Sequence, residues 1–355
     1  MSQRLLLSAL LLSIGVGSAS AQTSLAPSLA TNTAYAAKDI GTLGAYPVTP
    51  VQLNDKAWVT GRSPKGQNQA MQGFLTGPNA NKMRPLPRLD GKANQPNALN
   101  NHGVVVGRSN MGQGGMHAFM TGAQGMGILD LGALGGNKSE ALAVNNLGQV
   151  VGYAETSPDS PNVRAFLYDS ASQAMRPLGQ CLSDASTARV INDQGVVAGT
   201  FACQPDPSVR VFVASPPDYV FVPYALDDRF GYQVTGIDPQ GVVLGYVSDH
   251  KSRTRSFLVR PGMGMQELAT PSNFTTVVAW SRNEAGTIVG HSLDGHDNAA
   301  RAFVCSGDCS DLTDLNSLAT LPEGVKLTDA RSVNQAGQIL ASGSDGHGYL
   351  LTPAN

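Results

Sequence analysis

The sequence predicts an all-β fold made of seven copies of one four-stranded unit. Three periodic series carry that expectation. Phe74, Phe119, Phe166, Phe212, Phe257, Phe303 and Tyr349 lie 45 to 47 residues apart. Asn54, Asn100, Asn145, Asn192, Asp238, Asn283 and Asn334 keep the same beat, and so do Ile40, Leu86, Leu131, Leu178, Tyr224, Leu268 and Leu315. A period this regular marks a supersecondary unit that buries its apolar face against neighbouring copies.

The chain opens with a segment that reads as a secretory signal peptide, residues 1–21. Arg4 supplies the positive start, Leu5 to Gly17 a short apolar run, and Ala19-Ser20-Ala21 the small-residue cleavage site. The run is short for a membrane span, so cleavage is expected rather than an uncleaved anchor. No other stretch is apolar enough to cross a bilayer. Residues 22–37 are small and polar and read as a flexible leader to a single domain, 38–355. Charged residues make up 14% of the chain, Gly numbers 40 and the net charge is −2. This composition suits many tight turns and few long helices. It offers no basic surface for nucleic acid.

The third unit shows the pattern best. Ser139 to Asn145 alternates small and apolar residues and reads as strand A. Asn145-Asn146-Leu147-Gly148 is a tight turn, and Gln149 to Tyr153 is strand B. Glu155 to Asn162 is a variable loop, Arg164 to Tyr168 strand C and Met175 to Leu178 strand D. In the recurring Asn-x-x-Gly turn, the Asn side chain binds backbone N–H groups and Gly takes the left-handed conformation. The first unit has Ala57 where Gly belongs, so a differently built turn is expected there. A second Gly, four residues further on, recurs as Gly61, Gly107, Gly152, Gly199, Gly245 and Gly290. A strand Gly predicts a bulge or a close backbone approach.

Four short strands per 45 residues define a β-propeller blade, so the expectation is a seven-bladed β-propeller. A β-solenoid is the competing architecture. The chain starts with a D-type strand, Asp39 to Leu43, and ends on a C strand, Gly348 to Thr352. Seven of each type exist only if the N-terminal strand completes the last blade.

The blocks resemble the bacterial probable extracellular repeat, HAF family. The naming tripeptide stands as His117-Ala118-Phe119, with variants Arg164-Ala165-Phe166 and Arg301-Ala302-Phe303. Asp130 to Gly136 and, less fully, Asp39 to Gly44 carry the Asp-Leu-Gly-x-Leu-Gly-Gly signature, and Asn145 to Gly152 carries Asn-x-x-Gly-x-Val-Val-Gly. The resemblance covers roughly residues 38–353. It implies export, and it brings no activity and no catalytic residues.

Four Cys in an exported chain imply disulfides. Cys305 and Cys309 flank the hairpin between strands C and D of the sixth unit. In the blade model Cys181 and Cys203 lie at ends on one face, which predicts the pairs 305–309 and 181–203. Metal binding by these thiols is the weaker alternative. The residue two before each Phe is usually basic: His117, Arg164, Arg210, Arg255, Arg301 and His347. Arg164, Arg210, Arg255 and Arg301, with His296 and Asp297 from a neighbouring loop, are the candidate ligand face. The favoured alternative is that each cation pairs within its own blade. Asp249-His250, Asp294-Gly295-His296-Asp297 and Asp345-Gly346-His347 occupy equivalent B–C loops. They could hold a metal or act in acid–base chemistry, although solvated loops are the simpler reading.

No catalytic triad order, zinc-protease motif, phosphate loop or dinucleotide fingerprint occurs. The expected function is a periplasmic or extracellular binding or scaffold module without cofactor or metal, monomeric, for a glycan, another polymer or a protein. A polysaccharide lyase or hydrolase is the alternative, with Asp227, Asp228 and Glu323 as its only plausible carboxylates. A purely structural surface protein is the third.

Overall fold

The structure, a computed structural model, describes residues 34–354 except 92, 113, 160–161, 180–184, 204–205, 227–229, 249–252, 273 and 296–298. The signal peptide and most of the leader lie outside the described residues.

The third unit forms one antiparallel meander: Ser139–Val144, Gln149–Glu155, Val163–Asp169 and Ala174–Pro177. The same order recurs in the sheets starting at Thr49–Leu53, Asn94–Leu99 and Ser186–Ile191. An eight-stranded sheet holds two further meanders, starting at Phe230–Ile237 and Phe274–Arg282, joined through one parallel pair, Thr254↔Thr276. The last sheet contains Leu327–Val333, Ile339–Gly343 and Gly348–Pro353. Such hairpin-linked sheets exclude the solenoid.

The periodic residues do separate jobs. All six Phe rings of the series are fully buried, and Tyr349 nearly so. Phe166 packs with Val106, Ala118 and Leu131 of the preceding unit, so the ring seals the contact between two sheets. The B-strand Gly stands opposite a bulge in strand A: between Ala141 and Ala143 the register shifts, with Gly152 facing Ala141. A Cβ on Gly152 would sit 1.9 Å from the Glu140 carbonyl oxygen. Bulge and close approach thus occur together.

The Asn series closes the array. In the second unit, Asn100 Oδ1 accepts from the N–H groups of His102 and Val104, at 3.0 and 3.1 Å. Its Nδ2 donates to the carbonyl of Asn145, the equivalent residue one unit on, at 3.0 Å. Asn54, Asn145 and Asn192 repeat that donation to Asn100, Asn192 and Asp238. Asn283 donates to Asn334, and Asn334 to Asn54 across 280 residues of sequence. The Asp238 side chain carries no N–H to donate. There the buried carboxylate forms an ion pair with Arg282 of the next unit.

Two local expectations are corrected. The first turn is built like the others: Asn54 Oδ1 accepts from the N–H groups of Lys56 and Trp58, and Ala57 takes φ +55°. The side-chain and backbone bonds of Asn54 outweigh the left-handed cost of about 1 kcal/mol. The N-terminal strand runs Tyr35–Asp39, not 39–43, so residues 35–37 belong to the sheet and not to the leader. It pairs antiparallel with Gly348–Pro353, Asp39 facing Tyr349. The reason lies in the apolar series. Leu86, Leu131, Leu178, Leu268 and Ile40 each sit just past strand D, with their N–H groups bonded to strand C carbonyls. The strand precedes the marker residue. A short strand, Ala319–Thr320, then lies parallel outside Tyr35–Asp39 and covers that edge.

Candidate functional site: an axial channel and an apolar groove

Strand A of each unit contributes to one cavity of about 270 Å³, lined among others by Gln52, Asn97, Leu142, Arg189, Thr235, Trp280 and Arg331. Bulged strands meeting at an axis leave such a channel because their inner edges cannot pair with one another. At one end the channel opens into a polar mouth of about 380 Å³, ringed by Asp55, Asn101, Asn146, Asp193, Glu284 and Gln335. These residues follow the Asn series by one position and form a second hydrogen-bonded chain. Asn101 Nδ2 donates to Asp55 Oδ2 and Asn146 Nδ2 to Asp193 Oδ2, both at 2.8 Å.

Trp280, on the channel wall, organises a cluster that extends behind it. Its indole N–H donates to Asp329 Oδ1 at 2.8 Å, and Arg331 lies 4.4 Å above its ring while pairing with Asp329. His291 Nδ1 lies 3.3 Å from the same carboxylate. Between the second and third units, Arg108, Asn97 and the Tyr153 hydroxyl all converge on Glu140. Burial, and next the bond to Glu140, push the Tyr153 hydroxyl up to about 12. Burial lowers the pKa of Arg282.

A larger cavity of about 620 Å³ lies on the face carrying the A–B turns, between the sheets that begin at Ser186–Ile191 and Phe230–Ile237. Val196, Val213, Val220, Val222, Val259 and Pro261 form its walls. It shares Asn192 and Pro239 with the channel mouth. The C–D loop of the fourth unit forms one side of it. The C–D connection after Asp206–Ala214 runs through residues 215–221 before Val222–Tyr224, whereas its counterpart in the third unit takes only residues 170–173. Tyr219 and Phe221 anchor the longer loop, and Phe221 stacks on Phe212 at 3.7 Å. Val220 and Val222 stay about half exposed.

The cations singled out from sequence have partners of their own. His117 pairs with Asp130 at 2.9 Å, Arg255 lies 3.9 Å from Glu267, and Arg301 pairs with Asp294 at 3.3 Å. His347 pairs with Asp39 at 2.8 Å. Arg164 is buried and donates to the Gly179 carbonyl at 3.3 Å. Arg210 lies on the Asp206–Ala214 strand, half-buried and engaged in contacts of its own. Asp345 accepts from the Tyr349 hydroxyl at 2.7 Å. His296, Asp297, Asp249, His250, Asp227 and Asp228 lie outside the described residues. Glu323 is exposed and lines neither channel nor groove. Cys305 and Cys309 are bonded, with Cα atoms 5.1 Å apart. Cys203 is also disulfide-bonded, and its expected partner Cys181 lies outside the described residues. A disulfide fits an oxidising compartment. No described helix is long and apolar enough to cross a membrane.

Sheets that meet at a common channel define an all-β, propeller-type protein, and solved structures agree on that fold. YCF48 bound to D1 peptide matches with a TM-score of 0.53 and 10% identity, over 90% of this chain and 97% of that one. The β-propeller domain of the trilobed protease from Pyrococcus furiosus, titled as having an open velcro topology, matches at 0.55 and 8%, over 84% and 92%. Kuenenia stuttgartiensis hydrazine synthase matches at 0.54 and 10%, over 87% and 96%. No curated protein matches the sequence. The chain belongs to the family described as protein of unknown function (DUF3466), which matches residues 132–309, half of its length.

Proposed function

We propose that this protein is an exported, seven-bladed β-propeller that binds a polypeptide segment in the groove between its fourth and fifth blades. The observation that carries the reading is the groove itself: apolar walls, half-exposed Val220 and Val222, and a C–D loop that forms one side of it. Among the described residues lining groove and mouth none is Lys, Arg or His, while Asp218, Asp193 and Glu284 are present. A segment with apolar side chains beside a Lys or Arg complements that surface. YCF48, a protein of similar fold, is titled as bound to a peptide.

The blade count rests on the seven periodic units, with the eight-stranded sheet counted as two blades. The pairing of Tyr35–Asp39 with Gly348–Pro353 supports closure by the N-terminal strand. The leader sequence, the resemblance to the HAF repeats and the disulfide support export, to the periplasm or beyond. The protein acts as a monomeric binding module in this reading, and a glycan polymer is the other ligand class to be separated by test. A displayed library of random peptides is panned against the mature protein, alongside a glycan array. Enriched peptides should carry apolar residues next to Lys or Arg and should lose binding to the Val222→Asp variant. Peptides that bind that surface variant equally well, or binding confined to glycans, would overturn the reading.

A further inference from the structure

The axial channel holds one charge that no described residue compensates. Arg189, Arg282 and Arg331 line the cavity, and no Asp or Glu does among the described residues. Arg282 is neutralised by the buried Asp238, and Arg331 by Asp329 at 2.6 Å. Among the described residues Arg189 has only a neutral partner: its Nη2 donates to Gln233 Oε1 at 2.7 Å. Its Nε is buried without a hydrogen-bond partner. Glu140, on the adjacent unit, is committed to Arg108, Asn97 and Tyr153. A half-buried guanidinium whose Nε is shielded from water and that faces no described counter-charge is unfavourable, and an entering anion relieves that cost. The planar fork of the group matches a carboxylate.

We propose that the channel is a binding subsite for a carboxylate, held by Arg189, with the rest of the ligand against Leu142, Thr235 and Trp280. The volume, about 270 Å³, suits one residue-sized group and not a folded partner. Two sources share that chemistry, the C-terminus of a peptide and a sugar acid. The site is separate from the groove and stands or falls independently of it.

The test is calorimetric titration of the mature protein at fixed ionic strength with glucuronate and with triglycine. Methyl glucuronate ester and triglycine amide serve as neutral controls, and chloride as a simple anion. At least one carboxylate should bind saturably, and its neutral analogue at least tenfold more weakly. Arg189→Gln should weaken binding at least tenfold while its unfolding temperature without ligand stays near that of the parent. Arg189→Lys, which keeps the charge, covers the case in which Arg189→Gln does not fold, and it should bind more weakly than the parent. Binding by glucuronate alone identifies a sugar acid, and by triglycine alone a peptide terminus. Equal response to the neutral analogues or to chloride, undiminished binding by the folded variants, or no binding of either carboxylate would overturn the proposal.

Discussion

Replacing Asn100 by Asp tests the ring of Asn side chains directly. The new side chain keeps both acceptor bonds to the N–H groups of His102 and Val104. It loses the donor to the Asn145 carbonyl, 3.0 Å away, and sets a carboxylate oxygen against that carbonyl instead. The position is 5% exposed, so water does not rescue the charge. One lost bond costs about 1 kcal/mol, and a buried, unpaired charge adds several more, for about 3–5 kcal/mol in all. The chain itself contains the compensated version. Asp238 sits at the equivalent place in the fifth unit, and Arg282, the residue before the next Asn, neutralises it. The residue before Asn145 is Val144, which lines the channel. Adding Val144→Arg to Asn100→Asp should therefore recover at least 1 kcal/mol beyond the sum of the single changes. The sign of the pH dependence follows from the same argument. The introduced carboxyl has its folded pKa raised above its unfolded value of about 4, so its penalty is full above the folded pKa and vanishes as pH falls below the unfolded one. Urea unfolding at pH 7 and at pH 4 measures all of this. A loss under 1 kcal/mol at pH 7, or no coupling with Val144→Arg, would refute the account.

Three further outcomes are expected. Phe166→Ala should destabilise by about 3–5 kcal/mol, read by denaturant unfolding, because its ring is fully buried between two sheets. Removing residues 34–40 should lower the unfolding temperature and produce oligomers on size-exclusion chromatography, since the edge of Gly348–Pro353 is uncovered; an equally stable monomer would count against closure by this strand. Cys305→Ala with Cys309→Ala should cost about 2 kcal/mol in the same unfolding assay, the chain-entropy value for a loop this short.

Much of this fold is legible in the sequence because each periodic residue answers a local demand. The Phe series needs burial, the turn Gly needs a positive φ, and the B-strand Gly needs room for the Glu140 carbonyl and its equivalents. One copy suffices to read such demands, and seven copies remove the ambiguity. The expected strand, Asp39 to Leu43, falls four residues late because it takes the apolar marker Ile40 as a strand residue, whereas Ile40 follows the strand that forms. Strand direction relative to a marker is a matter of pairing, which one strand cannot specify alone.

Whatever joins different units was decided by the tertiary structure. The sequence announces that Asn caps its own turn, but not that its free amide donates to the next unit's carbonyl, because that partner lies about 46 residues away. Nor does it announce that Asp238 and Arg282 compensate one another. The basic residues before each Phe suggested a shared ligand face. Described partners such as Asp130 and Asp294 lie close by in the same unit. The groove and the channel were invisible for the same reason. Val196, Val222 and Val259 are ordinary strand residues until two sheets stand side by side, and Arg189 is an ordinary polar position until the strands around it meet at an axis. Local periodicity determines the unit; the distances between units, and so every cavity between them, exist only once the chain has closed.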